Sequence, residues 1–271
     1  MGESIIKIIE GSFKIYKKNF RKIITPFAIL GVISLIITFG VLFGYFAFIF
    51  AGQGGDLGQI GNNPTQILNL INQIQENLVP LLIGGGLILL IITIITSMLE
   101  FSTYKPINEL LHKKKASDWK SNFKPQFMNA IKVIIAGIII AIPMILGFFI
   151  FGYGIINIVT NPGMMIASFG VFAVLMIIQI IIGILSFFTT YNIIIKKTGI
   201  IKSIKKSIGT VKNNVGTCLI FLILWGVINV VVSGIGQAPC IGFIIQIVIQ
   251  FGLVMPVYVF SYIMLGNKLV K

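Results

Sequence analysis

Residues 199–231 read GIIKSIKKSIGTVKNNVGTCLIFLILWGVINVV, a basic amphipathic segment leading straight into a long apolar one. Laid without gaps on residues 4–36, SIIKIIEGSFKIYKKNFRKIITPFAILGVISLI, it matches at Ile200/Ile5, Ile201/Ile6, Lys202/Lys7, Ile204/Ile9, Ser207/Ser12, Lys212/Lys17, Asn214/Asn19, Gly226/Gly31, Val227/Val32 and Ile228/Ile33. Each copy joins a charged helical segment to an apolar run of membrane length, so the repeat predicts an all-α protein built by parallel duplication. In the later copy Ile201, Ile204, Ile208, Val211 and Val215 recur at steps of three and four, a stripe that seats the lead-in at a membrane interface.

The rest of the chain agrees with a membrane solvent. Of 271 residues 56% are hydrophobic and only 10% charged, too few to cover a soluble surface. Stretches free of Asp, Glu, Lys, Arg and His cover 23–55, 78–99, 133–195 and 215–267. A helix needs about 20 apolar residues to cross a hydrocarbon core roughly 30 Å thick, so the two longest stretches each hold two spans. Turn-forming clusters at Asn161-Pro162-Gly163 and at Gly236-Gln237-Ala238-Pro239 divide them. The expected architecture is one integral membrane domain over 1–271, with an interfacial helix at 1–22 and six transmembrane helices at 23–51, 78–99, 133–159, 164–195, 216–236 and 242–265.

Charge placement sets the orientation. All 21 Lys and Arg fall in the N-terminal segment, in the connections around 100–132 and 196–212, and in the tail; the opposite loops hold only Asp56 and Glu76. The positive-inside rule then predicts a multi-pass protein of the cell membrane with both termini cytoplasmic. The net charge of +14 could suggest nucleic acid, but that partner needs basic residues interleaved with stacking aromatics on one soluble face, so none is expected. A cleaved leader is not expected either, because the first apolar run is too long and no A-x-A site closes it. Cys218 and Cys240 lie one helix length apart, which forbids an intrachain disulfide.

Three lead-ins carry the candidate contacts. In the first, Ile5, Ile9, Phe13, Tyr16 and Phe20 share a face opposite Lys7, Lys14, Lys18 and Arg21. A third follows the Ser117-Asp118 cap, with Trp119, Phe123, Phe127 and Ile131 at steps of four until Pro125 bends it. Lys7, Lys14, Lys17, Lys18, Arg21, Lys202, Lys205, Lys206 and Lys212 are therefore expected either to contact anionic lipid headgroups or only to fix topology. Gly40 and Gly44 form a small-xxx-small pattern for helix packing. An outer loop, 52–77, ends in a short helical pattern from Ile67 to Leu78. Pro143 and Pro256 interrupt the third and sixth spans, each freeing a carbonyl that must find a donor inside the protein. Gln246 and Gln250 share a face and are expected to bond between helices.

Catalytic chemistry is thin. No ionisable residue lies inside an expected span, where Glu100 sits at the inner end of the second, and His112 stands alone in a lysine run. Phosphate-loop, HExxH and GxSxG motifs and His/Cys clusters are missing, so neither enzyme, cofactor nor metal is expected.

Several segments together resemble a known group: Ser117-Asp118-Trp119 with Phe123, the run 191–216 with Ser207, Val211, Lys212 and Asn214, and MPVYVFSYIML at 255–265 with Pro256, Tyr258 and Tyr262. The chain resembles uncharacterised prokaryotic polytopic membrane proteins that include the membrane domain attached to some glycerophosphodiester phosphodiesterases. The resemblance implies a stand-alone membrane module without the catalytic barrel, so no catalytic residue carries over. Lys over Arg and abundant Ile also suggest an AT-rich prokaryotic genome. Two functions are expected as alternatives: a non-enzymatic module whose basic belt binds anionic lipid or a partner protein, or a permease for an apolar or amphipathic solute between Pro143 and Pro256.

Overall fold

The computed structural model describes residues 2–52, 88–156, 162–237 and 242–270, and those residues contain helices and no strand. Helix α1 spans Gly2–Gly52, α2 covers 88–102, α3 Tyr104–Leu111, α4 Trp119–Phe123, α5 Gln126–Ile156 and α6 Pro162–Leu185. Then come α7 Thr189–Ile194, α8 Ile200–Lys212, α9 Val215–Gly236, α10 Gly242–Ile249, a π-turn Gln250–Val254 and α11 Met255–Leu269. Six helical runs are long and apolar enough to cross a membrane: Ile5–Ile37, Ile88–Leu111, Gln126–Gly154, Gly163–Ile194, Val215–Gly236 and Gly242–Leu269. The expectations for the outer loop, the start of the second span, the turn residues at 157–161 and 238–241, and Cys240 lie outside the described residues.

The sequence repeat is also a structural one. Buried positions coincide in register as Ile8/Ser203, Ser12/Ser207, Tyr16/Val211, Ile23/Cys218, Pro26/Phe221 and Leu30/Trp225. The joint between lead-in and span is the same in both copies. Asn19 leaves helical geometry (φ −113°, ψ 16°) and its Nδ2 donates to the Ile15 carbonyl at 2.9 Å. Asn214 likewise leaves it (φ −139°, ψ 30°) and donates to the Thr210 carbonyl at 2.9 Å. In each case a short amide that can satisfy the preceding turn allows the backbone to bend there.

The lead-ins nevertheless differ from the expected free interfacial helices. Within α1 the lead-in and the first span are two helices joined across a kink at Asn19, close to the expected boundary at residue 22. The buried face of the lead-in is Ile5, Ile8, Ser12 and Tyr16, packed on α11, while Phe13 and Phe20 of the anticipated stripe are exposed. In α8 the inward residues are Ser203, Ser207 and Val211, with Ile201 exposed. Serines win the inside because the backbone there needs them. The fourth span, expected over 164–195, runs as a membrane-length stretch over Gly163–Ile194 with an internal turn after Leu185, where Ser207 Oγ donates to the Leu185 carbonyl (2.9 Å) and accepts from the Phe188 N–H (2.9 Å). The third lead-in is cut at Pro125 into α4 and α5. Asp118 caps α4, accepting the Lys120 N–H at 3.1 Å, but Asn122 and Gln126 rather than Phe127 turn inward.

Helix α11 sits at the centre, with Val257, Val259, Phe260, Ser261, Tyr262, Ile263 and Leu265 all buried. Three helices reach this centre with similar runs: Phe101-Ser102-Thr103-Tyr104, Phe188-Thr189-Thr190-Tyr191 and Phe260-Ser261-Tyr262. Their rings converge, Tyr262 lying 6.3 Å from Tyr104, 6.4 Å from Tyr191 and 5.9 Å from Phe188. Gly266 permits a close approach: a Cβ there would stand 2.5 Å from the Tyr191 ring. Helices α5 and α6 form a separate hairpin whose outer residues Phe149 and Ile166 are 73% and 76% exposed, as suits helices facing acyl chains. Among the described residues nothing lies within 4 Å of a Cβ built on Gly40.

Candidate functional site at the lysine-rich end

Lys105, Lys132 and Lys197 come together where α3, the foot of α5 and the α7–α8 connection meet. The largest cavity there, about 660 Å³, is lined by Lys105, Lys132 and Lys197 together with Asn108, Ser121, Asn122, Gln126 and Asn129. Its geometry is built from the backbone upward. Helix α7 closes in a wide turn in which Thr198 N–H and Thr198 Oγ1 both reach the Asn192 carbonyl (3.1 and 2.9 Å), holding Lys197 in the left-handed region at φ 53°. The linker before α4 is tied by Glu109 Oε2 accepting the Ser117 N–H (2.6 Å) and by Asn122 Nδ2 donating to Ser117 Oγ (2.9 Å). Asn129 Nδ2 donates to Gln126 Oε1 at 2.8 Å. Across the floor, Tyr191 OH donates to Asn267 Oδ1 (2.6 Å), whose Nδ2 donates to Asn108 Oδ1 (2.8 Å). Three ammonium groups and four amides with no carboxylate in the lining suit an anionic, oxygen-rich group.

The expected headgroup residues distribute unevenly. Lys206 lines a cavity of about 540 Å³ with Lys268, Thr210, Asn213 and Asn214, and Lys7 lines one of about 490 Å³ with Ile8, Met264, Asn267 and Lys268. Lys14, Lys17, Lys18, Arg21, Lys202, Lys205 and Lys212 stay on exposed outer faces. Lys105, Lys132 and Lys197 fall outside the expected headgroup set, because in their region the aromatic stripe from Trp119 to Ile131 is the stronger periodic signal. The spacing Asn122, Gln126, Asn129, Lys132 was the available signal, a polar stripe at steps of four, three and three.

A fourth cavity, about 340 Å³, lies among Leu30, Ile33, Ser34 and Ile37 of α1, Ile92, Thr96, Ser97 and Glu100 of α2, and Phe251 and Met255 by the π-turn. Glu100, expected at the inner end of the second span, brings an ionisable group to its lining. Helical structure runs on past 99 through residue 102, and Glu100 falls within the apolar run Ile88–Leu111. Its carboxylate accepts the Tyr104 hydroxyl at 3.1 Å. The π-turn beside it follows from Pro256. Proline supplies no N–H to the Gly252 carbonyl four residues back, Met255 N–H reaches five back to Gln250, and the Tyr16 hydroxyl donates to the Gly252 carbonyl at 2.5 Å. Gln250 Nε2 donates to Asn229 Oδ1 (3.1 Å), the expected interhelical bond, whereas Gln246 fills the space beside Gly236. No group of three or more His, Cys, Asp or Glu able to hold a metal occurs among the described residues.

The fold and its charged end define a helical protein with six membrane-length helices. The chain belongs to the family described as a domain of unknown function (DUF7847), which it matches over residues 127–271, from the foot of α5 through α11. No curated protein and no solved structure matches it.

Proposed function

We propose that this protein is a non-enzymatic module of a prokaryotic cell membrane that holds anionic lipid headgroups at its basic face. The supporting observation is the cavity shared by Lys105, Lys132 and Lys197, whose lining offers ammonium and amide donors and no carboxylate. In this reading both termini and all the lysine-rich segments face the cytoplasm, where anionic lipids attract basic residues. The resemblance to the membrane domain of glycerophosphodiester phosphodiesterases fits a lipid-facing role. Lys206 and Lys7, each in a cavity with Lys268, extend the same surface. Passage of a solute between Pro143 and Pro256 has less support, because α5 packs along α6 while α11 packs on α1 and α3.

The test is binding of short-chain phosphatidylglycerol, against phosphatidylcholine, to purified protein in mild detergent by native mass spectrometry. Changing Lys105, Lys132 and Lys197 together to Gln should weaken phosphatidylglycerol binding by about 3 kcal/mol, roughly a hundredfold, at about 1 kcal/mol per lysine. The exposed set Lys14, Lys17 and Lys18 changed to Gln should have a smaller effect. Equal effects of the two sets, or no preference for phosphatidylglycerol, would refute the proposal. A reporter fused at Lys271 and found outside the cell would refute its orientation.

A further inference from the structure

We propose that the cavity between α1, α2 and the π-turn binds the ammonium group of an amphipathic primary amine, with Glu100 as its counter-ion and the alkyl chain lying between α1 and α2. Glu100 stands in an apolar helix, and among the described residues its carboxylate has only the Tyr104 hydroxyl as partner and no basic group within ion-pair distance. A carboxylate taken out of water without a cation is costly, and a cationic ligand would supply what the fold does not.

The remaining lining selects the kind of cation. Thr96 Oγ1 spends its proton on its own helix, donating to the Ile92 carbonyl at 2.9 Å, so toward the cavity it can only accept. Ser97 Oγ has no partner among the described residues and also lines the space. A carboxylate and two hydroxyl oxygens are acceptors for the three N–H bonds of a primary ammonium. Phe251 adds an aromatic ring to the wall, favourable to a cation over its face. Farther from the carboxylate the lining turns to Leu30, Ile33, Ile37 and Ile92. Their chain neighbours Val32, Ile36, Ile91 and Ile95 are exposed apolar residues, so the alkyl chain leaving this end of the cavity would meet apolar surface. The volume, about 340 Å³, matches the lower end of small-molecule sites, roughly 300–1,000 Å³. None of the three lysine-lined cavities shares a residue with this one, so the inference stands apart from headgroup binding at the basic face.

The experiment titrates decylamine, decanol and decanoate into the detergent-solubilised full chain by isothermal calorimetry. Decylamine should bind at one saturable site and the other two at least tenfold more weakly, with Glu100→Gln removing about tenfold or more of the decylamine affinity. Because Gln mimics a neutral acid, equal decylamine binding by Glu100→Gln would overturn the proposal, as would decanol or decanoate binding as well as decylamine. If Glu100→Gln does not fold, Ser97→Leu serves instead: it leaves the carboxylate intact, fills the cavity and should abolish decylamine binding, and undiminished binding would overturn the proposal. Competition by phosphatidylethanolamine against decylamine in nanodiscs would identify an aminolipid as the occupant, and its absence a free amine.

Discussion

Tyr16→Phe isolates one hydrogen bond that joins the two ends of the chain. Tyr16 and Gly252 are 236 residues apart, and the hydroxyl donates to a carbonyl whose ordinary α-helical donor, residue 256, is proline. The phenylalanine keeps the ring contacts with Phe20 (5.5 Å) and Phe260 (6.2 Å), so packing is nearly unchanged. What is lost is a single donor at a carbonyl removed from water. Leaving such a group short of a partner costs about 1–3 kcal/mol in soluble proteins. Hydrogen bonds between membrane helices average nearer 0.6 kcal/mol with an upper value of about 1.7, so about 1–1.5 kcal/mol is expected. The assay is reversible unfolding in mixed micelles, run as a double-mutant cycle with Pro256→Ala. Alanine restores an N–H that can serve the same carbonyl, so Tyr16→Phe should cost less in that background, with a coupling of about 0.5 kcal/mol or more. Equal cost in both backgrounds would refute the link between the proline and the tyrosine.

Other perturbations follow the same logic. Ser207→Ala strands the Phe188 N–H and the Leu185 carbonyl and should cost about 1–3 kcal/mol, while Ser12→Ala, at the equivalent repeat position but bonded only to Met264 sulfur at 3.9 Å, should cost under about 1 kcal/mol in the same unfolding assay. Gly266→Ala drives a methyl into the Tyr191 ring and should destabilise by about 1–3 kcal/mol. Gly226→Ala, with nothing within 4 Å, should instead stabilise α9 by up to about 1 kcal/mol, as thermal unfolding will read. Lys113 holds the left-handed position after α3 (φ 57°), where Lys113 N–H and Lys114 N–H close onto the carbonyls of Leu110 and Glu109. Lys113→Gly relieves that conformation and should raise the unfolding midpoint by the equivalent of about 1 kcal/mol.

Much of the helical plan was legible because burial in a bilayer is decided by hydropathy over a whole window. The span expected at 216–236 became α9, Val215–Gly236, and the break at Pro125 and the cap at Asp118 followed from local backbone chemistry. Side-chain direction was less legible. The lead-in stripes are expected at the membrane interface, and Phe13, Phe20 and Ile201 are exposed as that requires, but Ile5, Tyr16 and Val211 of the same stripes are buried in the protein. The inside was then taken by Ser12, Ser203 and Ser207. The recurrent Phe-Ser/Thr and Tyr runs at Tyr104, Tyr191 and Tyr262 were visible as letters, and only their meeting on α11 gave them a role.

What the amino-acid sequence determined by itself was therefore the class, the number of membrane-length helices and the repeat, since apolar length, charge segregation and an in-register match are properties of the chain. Its asparagine joints belong there too, as Asn19 and Asn214 each satisfy a carbonyl four residues back. Tertiary structure alone decided the sites. Lys105, Lys132 and Lys197 share a cavity only because α3, α5 and the α7–α8 connection pack together. Glu100 faces a cavity only because α2 continues past it beside α1 and the π-turn. Both depend on distances between residues far apart in the chain, which no local periodicity encodes.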